Sequence, residues 1–549
     1  MDERLQKIKE FLDKRDIQRR NTQKAIQFTE SLMHTKPVRD NDDKNEIDLL
    51  AFGPKDETKE QEEQKKQQQP IVLPSEQEDA LDVIKAFVTA PYENEKPSLL
   101  LTGYAGTGKS LIISYLIGWM ERRGMKAVIP GDRSLYASGG ESLRRFALCA
   151  PTHKAKYVVT KYTGCEAMTI HQLLNLRPTL DIMELDYSDL KFVVENIEGN
   201  PKLKKNMVII IDECSMINSG LYKSLMNISY LKSAKFIFIG DPCQLMPVKE
   251  EGLSPVFNKP TIKLELTKVF RQNEGNAIMP ILLKLRTEPM KAEEFETKRG
   301  EKGSLVVYND LTEFMRSYIT PLRESMEKAD TDMVKLFCYR NKKVHAYNEV
   351  TRKCLFKQDA AKPFHKNEFI MGYENIKYGG YDFFNSSDYI ITNEPELIDV
   401  VIPQISKVKG WGVVLYDKVG KQETLVPMIE PDKLPEGILY EWMSMIESVR
   451  LEAIECKKYG KRQELWRQYF ELFQCCAVTK PLVYQARVIK PKSFDYGYAC
   501  TVHKSQGSGY MITNVDMSDI LLDDNQMELR QLQYVALSRT RSDCNILLR

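Results

Sequence analysis

The chain predicts an α/β fold with a parallel sheet covered by helices on both faces, and three segments carry that prediction. The largely apolar Ser98–Leu101 runs directly into GYAGTGKS at 103–110, VIII at 208–211 runs into Asp212 and Glu213, and FIFI at 236–239 runs into Gly240 and Asp241. Each is a short apolar strand that delivers glycine or carboxylate at its end, and a helical stretch follows the first. Fully apolar strands alternating with helices belong to buried parallel sheets, whose ligands lie beyond the strands' C-terminal ends.

A chain of 549 residues is too long for a single core and should divide into several domains. The longest apolar stretches, such as Met207–Ile211 and Phe236–Ile239, are far short of a membrane span, and the N-terminus MDERLQKIKE is charged rather than signal-like. An intracellular, cytoplasmic protein with no membrane partner is therefore expected. Eleven cysteines occur without a CxxC pair, so neither a zinc site nor a disulfide framework is indicated. A formal net charge of +2 leaves nucleic acid open as a partner, because a basic channel can be balanced by acidic surface elsewhere.

Along the chain, residues 1–70 read as a charged, largely disordered extension. Positions 41–69 are rich in Asp, Glu, Lys and Gln and lack any apolar period, while Leu5, Ile8, Phe11 and Leu12 have the spacing of a short amphipathic helix. The ordered body begins at Ile71, and Pro74 and Ser75 open a helix through Phe87 with Gln77 on its first turn. Then comes the glycine-rich turn. Glycines let the backbone of Gly103, Ala105, Gly106, Thr107 and Gly108 approach a polyphosphate, the amides and helix N-terminus face the anion, Lys109 reaches the outer phosphates, and Ser110 can hold Mg²⁺. This is a nucleoside-triphosphate site, with a helix following over Lys109–Arg123. Asp212 can hold Mg²⁺ through water and Glu213 can orient and deprotonate an attacking water. Two carboxylates after a buried strand, in a chain with a phosphate loop, point to hydrolysis.

Taken in order, GYAGTGKS, DECS, GDPCQLMPV, FRQ, TVHKSQGS and VALSRTR resemble the motifs of the superfamily 1 helicases, and within them the 5′-to-3′ branch of RecD-like and phage Dda-like enzymes. The resemblance runs from Ile71 to Arg549. It implies two RecA-like parallel-sheet motor domains of the P-loop NTPase type, with an inserted pin, an SH3-like β-rich subdomain and a helical arm. The first motor domain would span 71–265 with the pin at 175–206, the second 266–360 plus 486–549, and the inserted subdomain 361–485. Within the insertion, the alternating Trp411–Ile429 stretch reads as a hairpin with Gly420 near its turn, and Glu441–Phe473 reads as helical. Tyr187 and Phe192 of the pin could stack on a base, or pack its small core.

The resemblance also assigns roles. Gln244 would sense the terminal phosphate, Gln77 would hold adenine, and the Gln506–Gly507 turn would link nucleotide to DNA. Arg271 and Arg539 would reach across the cleft to the terminal phosphate, where such arginines are worth about 10³ to 10⁵ in rate. APTHKAK at 150–156 and TIHQLL at 169–174 match DNA-contacting motifs, which makes Thr152, His153 and His171 candidates for backbone contact. Asn341, with Asn348 and Arg352, belongs to the matching segment of the second domain, and Thr501 and His503 precede the Gln506–Gly507 turn. The implied activity is ATP- and Mg²⁺-dependent unwinding of duplex DNA with 5′-to-3′ movement on a single strand, in phage-type replication, recombination or repair. The expected partners are single-stranded DNA and duplex junctions, with single-strand-binding or replisome proteins besides, and the location would be a host cytoplasm if the chain is phage-encoded. A DNA-stimulated translocase or remodelling ATPase that does not unwind, and a non-enzymatic replication scaffold on the same fold, stay open at this point, as does an RNA substrate. Residues 131–144, polar and glycine-containing, match no motif.

Overall fold

The computed structural model describes residues 73–129, 144–174, 200, 202–247, 250, 252–268, 276–418 and 420–548. The N-terminal extension, the segment 131–143, the greater part of the expected pin with Tyr187 and Phe192, and Arg271 lie outside the described residues.

The first sheet is parallel throughout. In chain order its surroundings are α1 (Ser75–Thr89), β1 (Ser98–Gly103), α2 (Lys109–Arg122), β2 (Lys126–Ala127), β3 (Arg145–Ala150), α3 (His153–Thr163), β4 (Met168–Thr169), β5 (Val208–Ile211), α4 (Ser219–Lys232), β6 (Lys235–Gly240) and β7 (Ile262–Leu266). The strands lie in the order β2-β3-β5-β6-β1-β7, with β4 on β3. Strand periodicity sends alternate residues to opposite faces. Ile209, Ile211 and Leu100 therefore enter one buried cluster while Val208, Ile210, Leu99 and Leu101 enter the other. Because both faces are covered, strands with no polar alternation fold here as expected. The order places β6 between β1 and β5, so all three informative segments end side by side.

The second sheet begins with β8 (Lys298–Gly300) and β9 (Gly303–Tyr308), followed by α5 (Leu311–Glu327), β10 (Val334–Cys338) and α6 (Asn341–Phe356). The chain then leaves it to build a largely antiparallel body. This insertion contains β11 (Phe369–Gly372), β12 (Ile376–Tyr378), β13 (Tyr381–Phe383), β14 (Asp388–Ile391), β15 (Glu396–Ile402), β16 (Ser406–Asp417), β17 (Gln422–Ile429), helices α7 (Glu436–Glu455) and α8 (Tyr459–Phe473), β18 (Ala477–Val478), β19 (Leu482–Tyr484), β20 (Arg487–Lys490) and β21 (Phe494–Tyr496). It returns through β22 (Ala499–Thr501), β23 (Tyr510–Asp516), α9 (Gln526–Ser538) and β24 (Thr540–Leu547). The second sheet is ordered β22-β10-β23-β24-β9-β8, parallel except for β8.

Trp411–Ile429 falls on the paired strands β16 and β17, and the helical stretch after Glu441 is two helices packed together through Trp442, Ile446, Tyr469 and Leu472. The insertion closes later than the boundary at 485 drawn from sequence. Its last strand, Phe494–Tyr496, pairs antiparallel with β11, and that pairing is invisible to local pattern because its partner lies far back in the chain.

The insertion is rooted on the second domain by buried polar groups. Asn348 donates from Nδ2 to the Tyr496 carbonyl (3.0 Å) and accepts at Oδ1 from the Ala499 amide (2.8 Å). Arg352 donates to Glu368 (2.6 Å) and lies over the Tyr496 ring (4.1 Å). Glu368 also accepts from the Tyr498 hydroxyl (2.9 Å) and is fully buried.

Candidate active site

The phosphate loop is shaped by two glycines at positive φ, Gly106 (84°) and Gly108 (86°), of which Gly108 immediately precedes α2. Its positive φ favours glycine at 108, and a Cβ there would stand 2.1 Å from Nε2 of Gln77 and displace that amide from the loop. Lys109 donates from Nζ to the carbonyls of Gly103 and Tyr104 (3.0 Å), which centres its charge on the loop. Thr107 is buried and its hydroxyl donates to the Tyr104 carbonyl (3.0 Å). Gln77 is buried against the loop and donates to the Thr107 carbonyl (2.9 Å), while its Oε1 is buried with no hydrogen-bond partner among the described residues. An orphaned acceptor of that kind suits an exocyclic amine, in keeping with the role expected of this glutamine.

The carboxylates follow β5. Asp212 accepts from the hydroxyl of Tyr162 (2.6 Å), and Ser110 is hydrogen-bonded to the same hydroxyl. Tyr162 thus joins the two residues expected to hold Mg²⁺, and the sequence carried no sign of it. Their oxygen donors, one carboxylate and one hydroxyl beside a phosphate loop, fit a small hard cation that keeps water and phosphate as its other ligands. Glu213 stands at φ 54°, a conformation rare for a side chain with Cβ, as the strand breaks into the short turn Cys214–Met216. Gly240 allows that turn to press on β6, since a Cβ there would lie 2.6 Å from Sγ of Cys214. Burial raises the pKa of both carboxylates. The Asp212 charge adds to the rise at Glu213, and Arg539 and Lys109 oppose it.

Arg539 comes from the second domain at the end of α9. It is nearly buried, donating to the carbonyls of Ser508 (3.2 Å) and Val535 (3.4 Å), and its charge acts on Glu213 across the cleft. The loop after β6 also spans the cleft. Asp241 accepts from the Cys243 amide (2.9 Å), Gln244 is buried, and Cys243 and Leu245 pack with Ile281, Tyr534 and Leu537 of the second domain. Arg286 stacks over the Tyr104 ring at 3.5 Å, another contact between the domains at the phosphate loop. Gly507, at φ 74°, sits on the second domain beside Ala155 of the first.

The residues expected to touch DNA lie at the C-terminal ends of the two sheets. Thr152 caps α3, its hydroxyl accepting from the Ala155 amide (3.1 Å). His153 stacks on Phe384 of the insertion, with ring centroids 4.0 Å apart, and burial pushes its pKa down to about 4. His171 follows β4 and burial lowers its pKa as well. Asn341 is exposed at the start of α6, Thr501 ends β22, and His503 lies 3.8 Å from Glu528. Sequence reading missed Lys154 and Lys504, which tie the same seam by donating to the Ser386 carbonyl (3.0 Å) and to Asn385 (2.7 Å). Asp388 completes it, pairing with Lys335 of the second domain (2.7 Å) and lying 3.8 Å from Lys154 of the first.

A phosphate loop and paired carboxylates on one parallel sheet, faced by an arginine from a second, define a two-domain P-loop nucleotide-binding hydrolase. An AAA domain matches residues 84–301 and a UvrD-like helicase C-terminal domain matches residues 496–547, one on each side of the insertion. The chain resembles the superfamily 1 helicases, and within them the branch that contains RecD and Dda. Among its relatives, the ATP-dependent DNA helicase dda of Enterobacteria phage T4 is 28% identical over 286 residues, 51% of this chain and 56% of that protein. The ATP-dependent RecD2 DNA helicase of Deinococcus radiodurans is 31% identical over 185 residues, 33% of this chain and 20% of that protein. An uncharacterized protein, R530, of Acanthamoeba polyphaga mimivirus is 22% identical over 81% of this chain and 94% of its own length. Among solved structures, a Bacteroides Pif1 helicase in complex with ADP-AlF3 and ssDNA overlays with a TM-score of 0.43 at 16% identity, covering 86% of this chain and 92% of that one. Among the described residues no helix is long and apolar enough to cross a membrane.

Proposed function

We propose that this chain is an ATP-dependent DNA helicase that moves 5′ to 3′ on single-stranded DNA and unwinds duplex ahead of it. The observation that supports the reading is that Asp212, Lys109 and, from the second domain, Arg539 all act electrostatically on Glu213. Lys109 and the loop amides hold the β- and γ-phosphates of ATP. Ser110 and Asp212 would hold Mg²⁺, which would supply positive charge against the phosphate oxygens. Glu213, its pKa raised by burial, takes the proton of the attacking water, and Gln244 reads the terminal phosphate. Arg539 from the second domain stabilises the charge of the transition state, a role the family resemblance also gives to Arg271.

Because the charges that favour hydrolysis come from both domains, ATP draws the domains together and hydrolysis lets them part. Thr152, His153, His171, Asn341, Thr501 and His503, distributed over both sheets, would grip the DNA backbone alternately. Separating one base pair costs on the order of 1 to 2 kcal/mol, well within one ATP cycle. Strand displacement on matched 5′-tailed and 3′-tailed duplexes, beside Lys109→Ala, tests the reading. Opening of the 5′-tailed substrate alone is expected, with none by the variant. Opening of only 3′-tailed duplexes would refute the direction, and undiminished ATP turnover by the variant would refute the site.

A further inference from the structure

The phenol of Tyr534 stands where three parts of the cleft meet. Its hydroxyl donates to Asp241 (2.8 Å) and accepts from the amide of Ala105 in the phosphate loop (3.1 Å). Tyr534 belongs to the second domain and both partners to the first. Tyr534 and Asp241 are buried to 1% and 0% exposure, so neither bond can be exchanged freely for water. Burial and the nearby Asp241 raise the phenol's pKa well above its ordinary value, which keeps the donor proton in place at neutral pH. One turn earlier on α9, Gln531 accepts from the Met246 amide (3.3 Å), so the same helical face meets the loop after β6 twice. The next turn of α9 ends at Arg539.

From this geometry we infer that Tyr534 is a positioning residue for hydrolysis: its hydroxyl fixes α9, and through it Arg539, against the phosphate loop. The inference rests on the ATP-hydrolysing role proposed above. A phenol ring has only two side-chain torsions, so it transmits displacement of α9 with little slack. With donor and acceptor engaged at once, the hydroxyl ties the conformation of the phosphate-loop tip to the Asp241 loop, and any relative rotation of the domains must stretch one bond or the other. The second contact at this tip, Arg286 over Tyr104, holds the neighbouring residue to the same domain. Arg539 therefore takes its place only when the tip and the Asp241 loop are both in register.

The test is Tyr534→Phe, which keeps the ring and removes only the hydroxyl. ATP turnover in the presence of single-stranded DNA is expected to fall at least tenfold in kcat, with KM for ATP within twofold. In an Arg539→Ala background the same change should cost less than twofold, because residues acting through one another are non-additive. Hydrogen exchange over residues 103–110 of the nucleotide-free full chain should quicken in Tyr534→Phe, reporting release of the Ala105 amide. A kcat within twofold of the parent, or a full tenfold loss repeated on top of Arg539→Ala, would overturn the positioning role, and unchanged exchange would overturn the link itself. If the parent protein hydrolysed no ATP, the proposed function would fall, and the exchange measurement would still decide whether the link exists.

Discussion

Arg352→Met isolates what holds the insertion to the motor. Arg352 donates to Glu368 at 2.6 and 3.4 Å and to the carbonyls of Ala360 (3.0 Å) and Lys362 (2.7 Å). Methionine keeps much of the apolar contact with Tyr496 but leaves Glu368, fully buried, with the Tyr498 hydroxyl and the His365 amide as its donors among the described residues. Breaking one side of a buried ion pair costs about 3–5 kcal/mol, most of it from the stranded charge. The Ala360 and Lys362 carbonyls lie near solvent and recover water, so they add little. Removing both charges in Arg352→Met with Glu368→Leu abolishes the stranded carboxylate and should cost only about 1–2 kcal/mol, for the donors of Tyr498 and His365 then left unpaired. Three of the four tryptophans, Trp411, Trp442 and Trp466, lie in the insertion, so fluorescence during urea unfolding reports on it. With a slope of about 2 kcal/mol per M, the single variant should move the midpoint down by about 2 M. A shift worth less than about 1 kcal/mol, or a double variant no more stable than the single, would refute the reasoning.

Two further outcomes follow from the charges in the cleft and seam. Glu213 must be ionised to accept a proton, and its pKa lies above the ordinary glutamate range, so kcat for ATP should fall as pH drops through that raised value; Glu213→Gln should lower kcat by about 10²–10⁴ while nucleotide binding persists, read by steady-state turnover and fluorescent-nucleotide titration. His153, with its pKa pushed from 6.5 down to about 4, stays neutral in the folded protein at pH values where the unfolded chain binds a proton. Its contribution to stability is therefore present above pH 6.5 and lost as pH falls toward 4, amounting to about 2 kcal/mol by pH 5. Melting temperature followed between pH 7 and 5 should drop more steeply for the parent than for His153→Asn, and parallel slopes would count against the buried neutral ring.

What could be read in the sequence is the part of the site that uses consecutive residues. GYAGTGKS, VIIIDE and FIFIGD each carry strand, turn and functional group within about ten positions, so local pattern suffices to locate them. The parallel sheets followed for the same reason, since apolar strands without alternation must be buried on both faces. What stayed hidden depends on partners distant in the chain. Tyr162 meets Asp212 across 50 positions and Tyr534 meets Asp241 across 293, and an isolated tyrosine carries no local sign of such a use. His153 was legible as part of APTHKAK, but its stack on Phe384 was not, because Phe384 lies in an insertion whose fold no motif describes. Asn348 and Arg352 stood out by position alone, and only the structure shows that they fasten β21, β22 and Glu368 to α6.

The insertion enters and leaves through β11 and β21, which pair antiparallel with Ile370 opposite Tyr496 and Gly372 opposite Phe494. Its two ends are therefore next to each other, and the chain passes into and out of the body through a two-strand stem, to which the side-chain contacts of the seam are added. A chain arranged this way is modular: the cassette beyond the stem can lengthen, shrink or be exchanged without altering the spacing between β10 and β22, so accessory structure can diverge between relatives while the ATP cleft keeps its register.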